Sequence, residues 1–308
     1  MSILFYCKFQ NSAEWKRKVK QRFRNKKIIS LNETNKFNQV EIAIVWNLPN
    51  HILKKLPNLK IIYALGAGVD HILRLNDYRN TPIVRLKDPL MGELMYYYVQ
   101  SQILNFQIGI NEYKIAQNKK IWRKEILPSF NKDLTVGILG LGFLGSIVAK
   151  SLKRNNYKII GYKKTKLKKT QFKMYYGNQI QKFAKSVDVL INVLPNTVAT
   201  NNFINSKFLS LMKKKSLFIS IGRGTTVNES DLANHLKKNK SFYASLDVFH
   251  NEPLSKKSAL WKLPNVNITP HVASITLIDS AIDLIYKNYL NYKKSKKIKS
   301  NVDLVNGY

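Results

Sequence analysis

The sequence predicts an α/β protein built from two doubly wound parallel-sheet domains. Three observations carry that expectation. Short, almost wholly apolar runs alternate with helical stretches along most of the 308 residues, which is the pattern of strand–helix–strand units whose sheets are covered on both faces. The alternation occurs twice, separated by a long helical stretch and a polar connection. The second series opens on a glycine-rich turn between a strand and a helix, "GLGFLG" at 140–145.

In the first series, "ILFYC" (3–7), "KIIS" (27–30), "VEIAIVW" (40–46), "LKIIYAL" (59–65) and "PIVRL" (82–86) read as strands. One long helix is expected from about Met91 to Gln117, followed by a connection over 118–134. In the second series the expected strands are "TVGILG" (135–140), "KIIGY" (158–162), "VDVLINVL" (187–194), "SLFISIG" (216–222), "FYASLDVF" (242–249) and "VNITP" (266–270). A final helix runs from Ser274 to about Tyr292, before a basic tail. No Pro/Gly/Ser-rich linker separates the halves, so the expectation is two α/β domains joined by helices with a cleft between them.

Composition narrows the class. Hydrophobic residues make up 44% of the chain, enough for a packed globular core. The longest apolar runs are too short to span a bilayer, and "MSILFYCKF" reads as a first strand and not as a signal peptide. A single cysteine, Cys7, excludes an internal disulfide and suits a reducing cytoplasm. The charge is lopsided: 52 Lys+Arg against 18 Asp+Glu, a formal net charge of +34. One reading is a footprint for nucleic acid or another polyanion. The other is a Lys- and Asn-rich composition, because lysines fall on nearly every expected surface helix and loop. There is no basic stripe interleaved with aromatic residues, no Gly/Arg tract and no nucleic-acid module. Neither a specific nucleic-acid partner nor a membrane is expected, although a polyanion-binding protein on a nucleotide-binding scaffold stays open as an alternative.

The glycine loop points to a dinucleotide. Gly140 permits a tight turn after the strand, Gly142 lets the backbone approach a pyrophosphate, and Gly145 allows close helix–strand packing. Phe143 and Leu144 open the helix, whose first N–H groups and partial positive charge suit phosphate. An NAD-specific site places a carboxylate at the end of the second strand, where it accepts from the ribose 2′-OH. Here that position reads "GYKKTK", and no carboxylate occurs between Ser151 and Ser186. Lys163, Lys164 and Lys166 would instead pair with a 2′-phosphate, so NADP(H) is favoured. A lysine-rich composition is the competing explanation, and NAD(H) stays possible.

Three later stretches carry reactive residues at strand ends. Arg223, between two glycines in "SIGRGTT", suits bidentate capture of a carboxylate and polarisation of a carbonyl oxygen. "LDVFHNEPL" offers Asp247 and Glu252, and His271 follows Pro270 in "VNITPHVAS". A histidine is the natural proton donor near neutral pH, and a neighbouring carboxylate would fix its tautomer. His51, His71, His235 and His250 lack that context. His51 and His71 read as surface or structural residues, and the "YYY" run at 96–98 as core or interface. No Cys/His or carboxylate cluster has metal-ligand spacing, so no metal is expected.

These stretches, with "LPNT" (194–197), resemble the D-isomer-specific 2-hydroxyacid dehydrogenase family in order and spacing. Val45-Trp46, "LGAGVD" (65–70), "MGE" (91–93), "LINVLPNT" (190–197) and Val302-Asp303…Gly307-Tyr308 are similar to its glyoxylate/hydroxypyruvate-reducing branch. The resemblance implies a Rossmann-type nucleotide domain (100–277) inserted into a flavodoxin-like substrate domain (1–99 plus 278–308). It also implies roles. Arg223 would bind the 2-oxo acid, Glu252 would pair with His271, and His271 would donate a proton as hydride arrives. Gly66, Ala67 and Gly68 would present N–H groups to the substrate carboxylate, with Trp46 as the wall of a small pocket. Leu194, Pro195 and Ile221 would lie along the cofactor and Asp247 would hold the nicotinamide carboxamide. The resemblance implies NADPH-dependent reduction of small 2-oxo acids, glyoxylate and hydroxypyruvate first, by a homodimer. A dehydrogenase of a larger 2-hydroxy acid is the alternative within the same fold. Two departures stand out: Tyr97-Tyr98-Val99 where the branch often has "EYV", and Gly222 before Arg223 where it usually has alanine.

Overall fold

The computed structural model describes residues 2–9, 11–33, 37–75, 78, 81–166, 169–295, 297–298 and 300–303. Gly307 and Tyr308 lie outside the described residues.

The chain opens β1 (Ser2–Cys7), α1 (Ser12–Arg22), β2 (Lys27–Ile29), β3 (Val40–Trp46), α2 (Asn50–Lys54), β4 (Ile61–Ala64), α3 (Asp70–Leu73) and β5 (Ile83–Val84). It continues through α4 (Pro89–Gln107), α5 (Ile110–Asn118), β6 (Thr135–Leu139), α6 (Phe143–Arg154), β7 (Lys158–Lys163) and β8 (Lys173–Tyr176). Then come α7 (Ile180–Ser186), β9 (Val189–Asn192), α8 (Ser206–Leu209), β10 (Ser216–Ser220), α9 (Glu229–Lys238), β11 (Phe242–Leu246), β12 (Val266–Ile268) and α10 (Ile278–Ser295). Two compact units result: Met1–Leu90 with Thr276–Tyr308, and Met91–Ile275.

The outer unit holds a parallel five-stranded sheet, β2-β1-β3-β4-β5. The two-residue period of its strands divides the core between the faces. Ile3, Phe5, Ile42 and Ile44 pack with Trp15 and Val19 of α1 and with Ala281, Ile282 and Ile285 of α10. Leu4, Ala43 and Val45 pack with Ile52 and Leu53 of α2 and Ile72 of α3.

The central unit holds a parallel seven-stranded sheet in the order β12-β11-β10-β9-β6-β7-β8. One face is covered by α4 and α6 through Met95, Val99, Ile103, Phe106, Val148, Ala149 and Leu152. The other is covered by α7, α8 and α9 through Phe183, Phe208, Leu209, Leu232 and Leu236. From β6 the chain winds outward to β8, then crosses back to start β9 on the other side. That reversal between β6 and β9 opens a crevice beyond the strand ends, where open α/β sheets bind ligands.

Four details differ from the sequence expectation. The single helix over 91–117 is two helices, because Gly109 takes a left-handed φ of +71° and ends the first. β8, which carries little apolar periodicity, pairs in parallel with β7. α10 begins at Ile278 and not at Ser274. The units divide at 90/91 and 275/276, not at 99/100 and 277/278. From Met91 onward α4 goes with the central unit, because Met95 and Val99 share the core of Ile103 and Phe106.

Candidate active site

The glycine loop lies at the C-terminal end of β6, on the crevice. Gly140 has a φ of +93°, and a Cβ there would sit 2.6 Å from the Val193 carbonyl oxygen. A Cβ on Gly145 would lie 2.2 Å from the carbonyl oxygen of Gly140. The turn thus folds back on the helix it starts, and both positions need glycine. Gly142 is different: a Cβ there meets no atom within 4 Å. It would project into open space ahead of the first turn of α6, where Phe143, Leu144 and Gly145 carry N–H groups without intrahelical acceptors. That gap, backed by the helix dipole, fits a pyrophosphate.

β7 runs beside β6, with Tyr162 opposite Leu139, so Lys163 ends its strand level with Gly140. Lys163 is half-buried, and Lys164 and Lys166 are exposed. On the opposite side of β6, Leu194 and Pro195 follow β9, and Ile221 is buried after β10. The Leu194 N–H donates to Asn192 Oδ1 at 3.3 Å and the Ile221 N–H to the Asn192 carbonyl at 3.0 Å.

Three of the reactive residues converge. His271 Nδ1 lies 2.7 Å from Glu252 Oε2. Glu252 Oε1 accepts from the Phe249 N–H at 3.0 Å, so the carboxylate is held from both sides. Burial pushes the Glu252 carboxyl up, but the His271 bond, the Phe249 N–H and the nearby charges of His271 and Arg223 outweigh it. The group therefore sits below the usual carboxylate range. With Nδ1 committed to Glu252, Nε2 is the nitrogen left to serve a substrate, and the His271 side chain is 44% exposed. The arrangement has the parts of an acid–base pair, and a guanidinium of the kind that suits a carboxylate acts on the same Glu252.

Arg223 is positioned from below by residues that the sequence does not single out. Buried Asn192, at the end of β9, donates through Nδ2 to Thr226 Oγ1 at 2.8 Å and to Ser220 Oγ at 3.2 Å. The Thr226 hydroxyl in turn donates to the Arg223 carbonyl at 2.6 Å. The available signal was one polar residue inside the apolar run "VLINVL". Asp247 also takes a place that its sequence context does not reveal. It is 1% exposed. Its carboxylate accepts from Thr269 Oγ1 at 2.7 Å and from the N–H groups of Val272 at 2.8 Å and Ala273 at 2.9 Å.

Trp46 and the loop Gly66, Ala67 and Gly68 belong to the outer unit, at the ends of β3 and β4. Trp46 is clamped between Phe9, stacked at 5.3 Å, and His71, at 4.2 Å. Its ring lies so close over Gly66 that a Cβ there would fall 2.5 Å from it. His71 is 3% exposed, and its Nδ1 accepts from the Asn47 N–H at 3.1 Å. It is therefore a structural residue that fixes the indole. His51 is exposed, the His250 N–H donates to Glu229, and burial lowers the pKa of His235. Among the described residues no group of three or more His, Cys, Asp or Glu could hold a metal, and no helix is long and apolar enough to cross a membrane.

A reversed seven-stranded parallel sheet, a glycine loop at its switch point and an Arg/Glu/His set on the same unit define an NAD(P)-dependent oxidoreductase. Comparison with known proteins gives the family. Residues 101–273 match the family model described as D-isomer specific 2-hydroxyacid dehydrogenase, NAD binding domain. The chain is 34% identical over 315 residues to a glyoxylate/hydroxypyruvate reductase A of Photorhabdus laumondii, covering 100% of both chains. It is 33% identical over 316 residues to the protein of that name from Salmonella paratyphi B, again over 100% of both. Among solved structures, the NADPH-dependent glyoxylate/hydroxypyruvate reductase of Sinorhizobium meliloti in complex with NADP and sulfate is similar at a TM-score of 0.92 and 28% identity, over 100% of both chains. A D-isomer specific 2-hydroxyacid dehydrogenase from Xanthobacter autotrophicus in complex with NADPH and MES also gives 0.92 and 28%, covering 100% of this chain and 99% of that one. The chain belongs to the D-isomer-specific 2-hydroxyacid dehydrogenase family.

Proposed function

We propose that this protein uses NADPH to reduce small 2-oxo acids, glyoxylate to glycolate and hydroxypyruvate to glycerate. The observation that carries the reading is the 2.7 Å contact between His271 and Glu252, with the Arg223 charge acting on the same carboxylate. The names of the full-length relatives support the substrate class. The NADP and NADPH complexes of similar structures, with lysines and no acid after β7, support the cofactor. NADH remains a usable second cofactor in this reading.

When bound, the nicotinamide supplies the hydride. The chain supplies the rest. The Arg223 guanidinium binds the carboxylate of the 2-oxo acid and polarises the carbonyl oxygen. His271 gives that oxygen a proton from Nε2, while Glu252 holds Nδ1–H and so fixes ring orientation and tautomer. Lys163, Lys164 and Lys166 pair with the 2′-phosphate, and the first turn of α6 takes the pyrophosphate. Leu194, Pro195 and Ile221 lie along the cofactor. For Trp46 and the Gly66–Gly68 loop of the outer unit, the family likeness supports the substrate roles it implies. This assigns nucleotide binding and the reacting groups Arg223, Glu252 and His271 to the central unit. The protein acts as a homodimer in the cytoplasm. The family likeness supports the dimer, and the single cysteine, Cys7, is in keeping with a reducing compartment.

The test is a cofactor-by-substrate activity matrix on wild type, Arg223→Ala and His271→Ala. Each variant should lose about 10²–10⁴-fold in kcat while its affinity for NADPH stays within about threefold of wild type, a difference of ~0.7 kcal/mol. Full activity in either variant sinks the mechanism. Faster turnover of phenylpyruvate than of glyoxylate sinks the small-pocket reading.

A further inference from the structure

We propose that Tyr98, Thr269 and the buried Asp247 form a hydrogen-bonded relay that fixes the loop carrying His271, and that Tyr98 and Thr269 are thereby positioning residues for its proton transfer. The second clause rests on the reading of His271 as proton donor. The first stands on the geometry of the central unit alone.

His271 has a φ of +56°, in the left-handed region that a non-glycine residue keeps only where its surroundings impose it. The surroundings do so here. The His271 N–H is shared between the carbonyls of Asp247, at 2.8 Å, and Thr269, at 3.2 Å. The next two N–H groups, of Val272 and Ala273, both end on the Asp247 carboxylate. Three consecutive amides around the proton donor are thus held by Asp247 and Thr269. The direction of the remaining bonds follows from proton counting. A carboxylate only accepts, so the Thr269 hydroxyl donates its proton to Asp247 Oδ1 at 2.7 Å. In its 2.8 Å contact with Tyr98, Thr269 Oγ1 must then accept, and the phenol donates. The phenol keeps its proton, because burial, with the Asp247 charge adding to it, pushes Tyr98 up to about 12.

Tyr98 brings the relay to a stiff support. Its helix, α4, is anchored in the core through Met95, Val99, Ile103 and Phe106. A second stitch ties the far side of the loop to the same helix: the Ser274 hydroxyl donates to the Met91 carbonyl at 2.8 Å. The segment from Thr269 to Ser274 is therefore pinned to α4 at both ends, and His271 faces Glu252 from a fixed backbone. Tyr98 and Thr269 act on His271 through the backbone of the loop, by way of Asp247 and the amides it holds.

The experiment compares wild type with Thr269→Val, which keeps shape and loses the hydroxyl, Thr269→Ser, which keeps the hydroxyl, and Tyr98→Phe. Hydrogen–deuterium exchange of the segment 269–274 is measured on the protein without cofactor, and kcat and KM are measured with NADPH and glyoxylate. Thr269→Val should raise exchange in the segment about tenfold and lower kcat about tenfold, with the KM for NADPH within about twofold. Thr269→Ser should match wild type in both readouts, and Tyr98→Phe should fall between. Wild-type exchange in Thr269→Val overturns the relay. Equal losses in Thr269→Ser and Thr269→Val overturn it too, because then packing and not the hydroxyl matters. Raised exchange with unchanged kcat overturns the positioning role. If wild type reduces no 2-oxo acid yet Thr269→Val alone loosens the segment, the relay stands and the functional reading falls.

Discussion

Two alanine substitutions three residues apart in the glycine loop should fail in opposite ways. At Gly145 an added Cβ would lie 2.2 Å from the Gly140 carbonyl oxygen, about 1 Å inside ordinary contact, and the obstacle is backbone that cannot rotate away. Relieving it means shifting α6 or opening the turn, an overpacking cost of about 1–3 kcal/mol. For the 185-residue central unit, Met91–Ile275, that lowers Tm by about 2–12 °C. At Gly142 the Cβ meets nothing within 4 Å, and the backbone, with φ −85° and ψ −155°, is extended and open to any residue. Gly142→Ala should therefore keep its Tm within about 1 °C, a few tenths of a kcal/mol. It should nonetheless weaken NADPH binding at least tenfold, about 1.4 kcal/mol, because its methyl occupies the space assigned to the pyrophosphate. Differential scanning calorimetry reads the first quantity and titration calorimetry with NADPH the second. A Gly142→Ala protein that binds NADPH like wild type refutes the assignment of that space. A Gly145→Ala protein as stable as wild type refutes the close approach.

Replacing Lys163 and Lys164 together by alanine should raise the KM for NADPH about thirtyfold and leave that for NADH within about twofold, since each lysine contributes on the order of 1 kcal/mol to a phosphate, about 2 kcal/mol for the pair; an equal effect on both cofactors would show the lysines to be incidental. Glu252 should contribute a pH-dependent part of the stability. Its folded carboxyl lies below the ordinary value of ~4.3, so the contribution is complete above ~4.3 and disappears as pH falls through the lower folded value. Urea midpoints of wild type and Glu252→Gln should thus keep their full gap at about pH 6 and approach each other as pH falls below ~4.3, and a gap that stays constant there would contradict the shift. Phe183→Ala, at a fully buried ring in contact range of Tyr162 and Tyr175, should cost about 3–5 kcal/mol, read from the same midpoints.

Much of the fold was legible in the chain because burial on both faces writes itself into the strands. "IAIVW" (42–46) and "LFI" (217–219) are apolar at successive positions, and a strand flanked by helices on both sides has little alternative. β8, "KMYY", was not legible. It sits on the outer edge of the sheet beyond β7, all four residues are partly or fully exposed, and no apolar period marks it. The break between α4 and α5 shows the same limit. Helical periodicity continues through Gly109, and only the backbone conformation ends the first helix there.

The reactive residues follow the same division. Residue type and position after a strand were enough to select Arg223, Glu252 and His271, since few side chains can bind a carboxylate or pass a proton near neutral pH. The glycine spacing and the lysines after β7 were enough to select a dinucleotide and to favour its phosphorylated form. Local sequence therefore determined which chemistry is available. Only the tertiary structure decided that Glu252 lies 2.7 Å from a histidine 19 positions away, and that Asp247, Thr269 and Tyr98 join across 171 positions into one hydrogen-bonded line. Such pairings depend on strand order and on how α4 crosses the sheet, and these are set by burial summed over the whole core, which no short stretch contains.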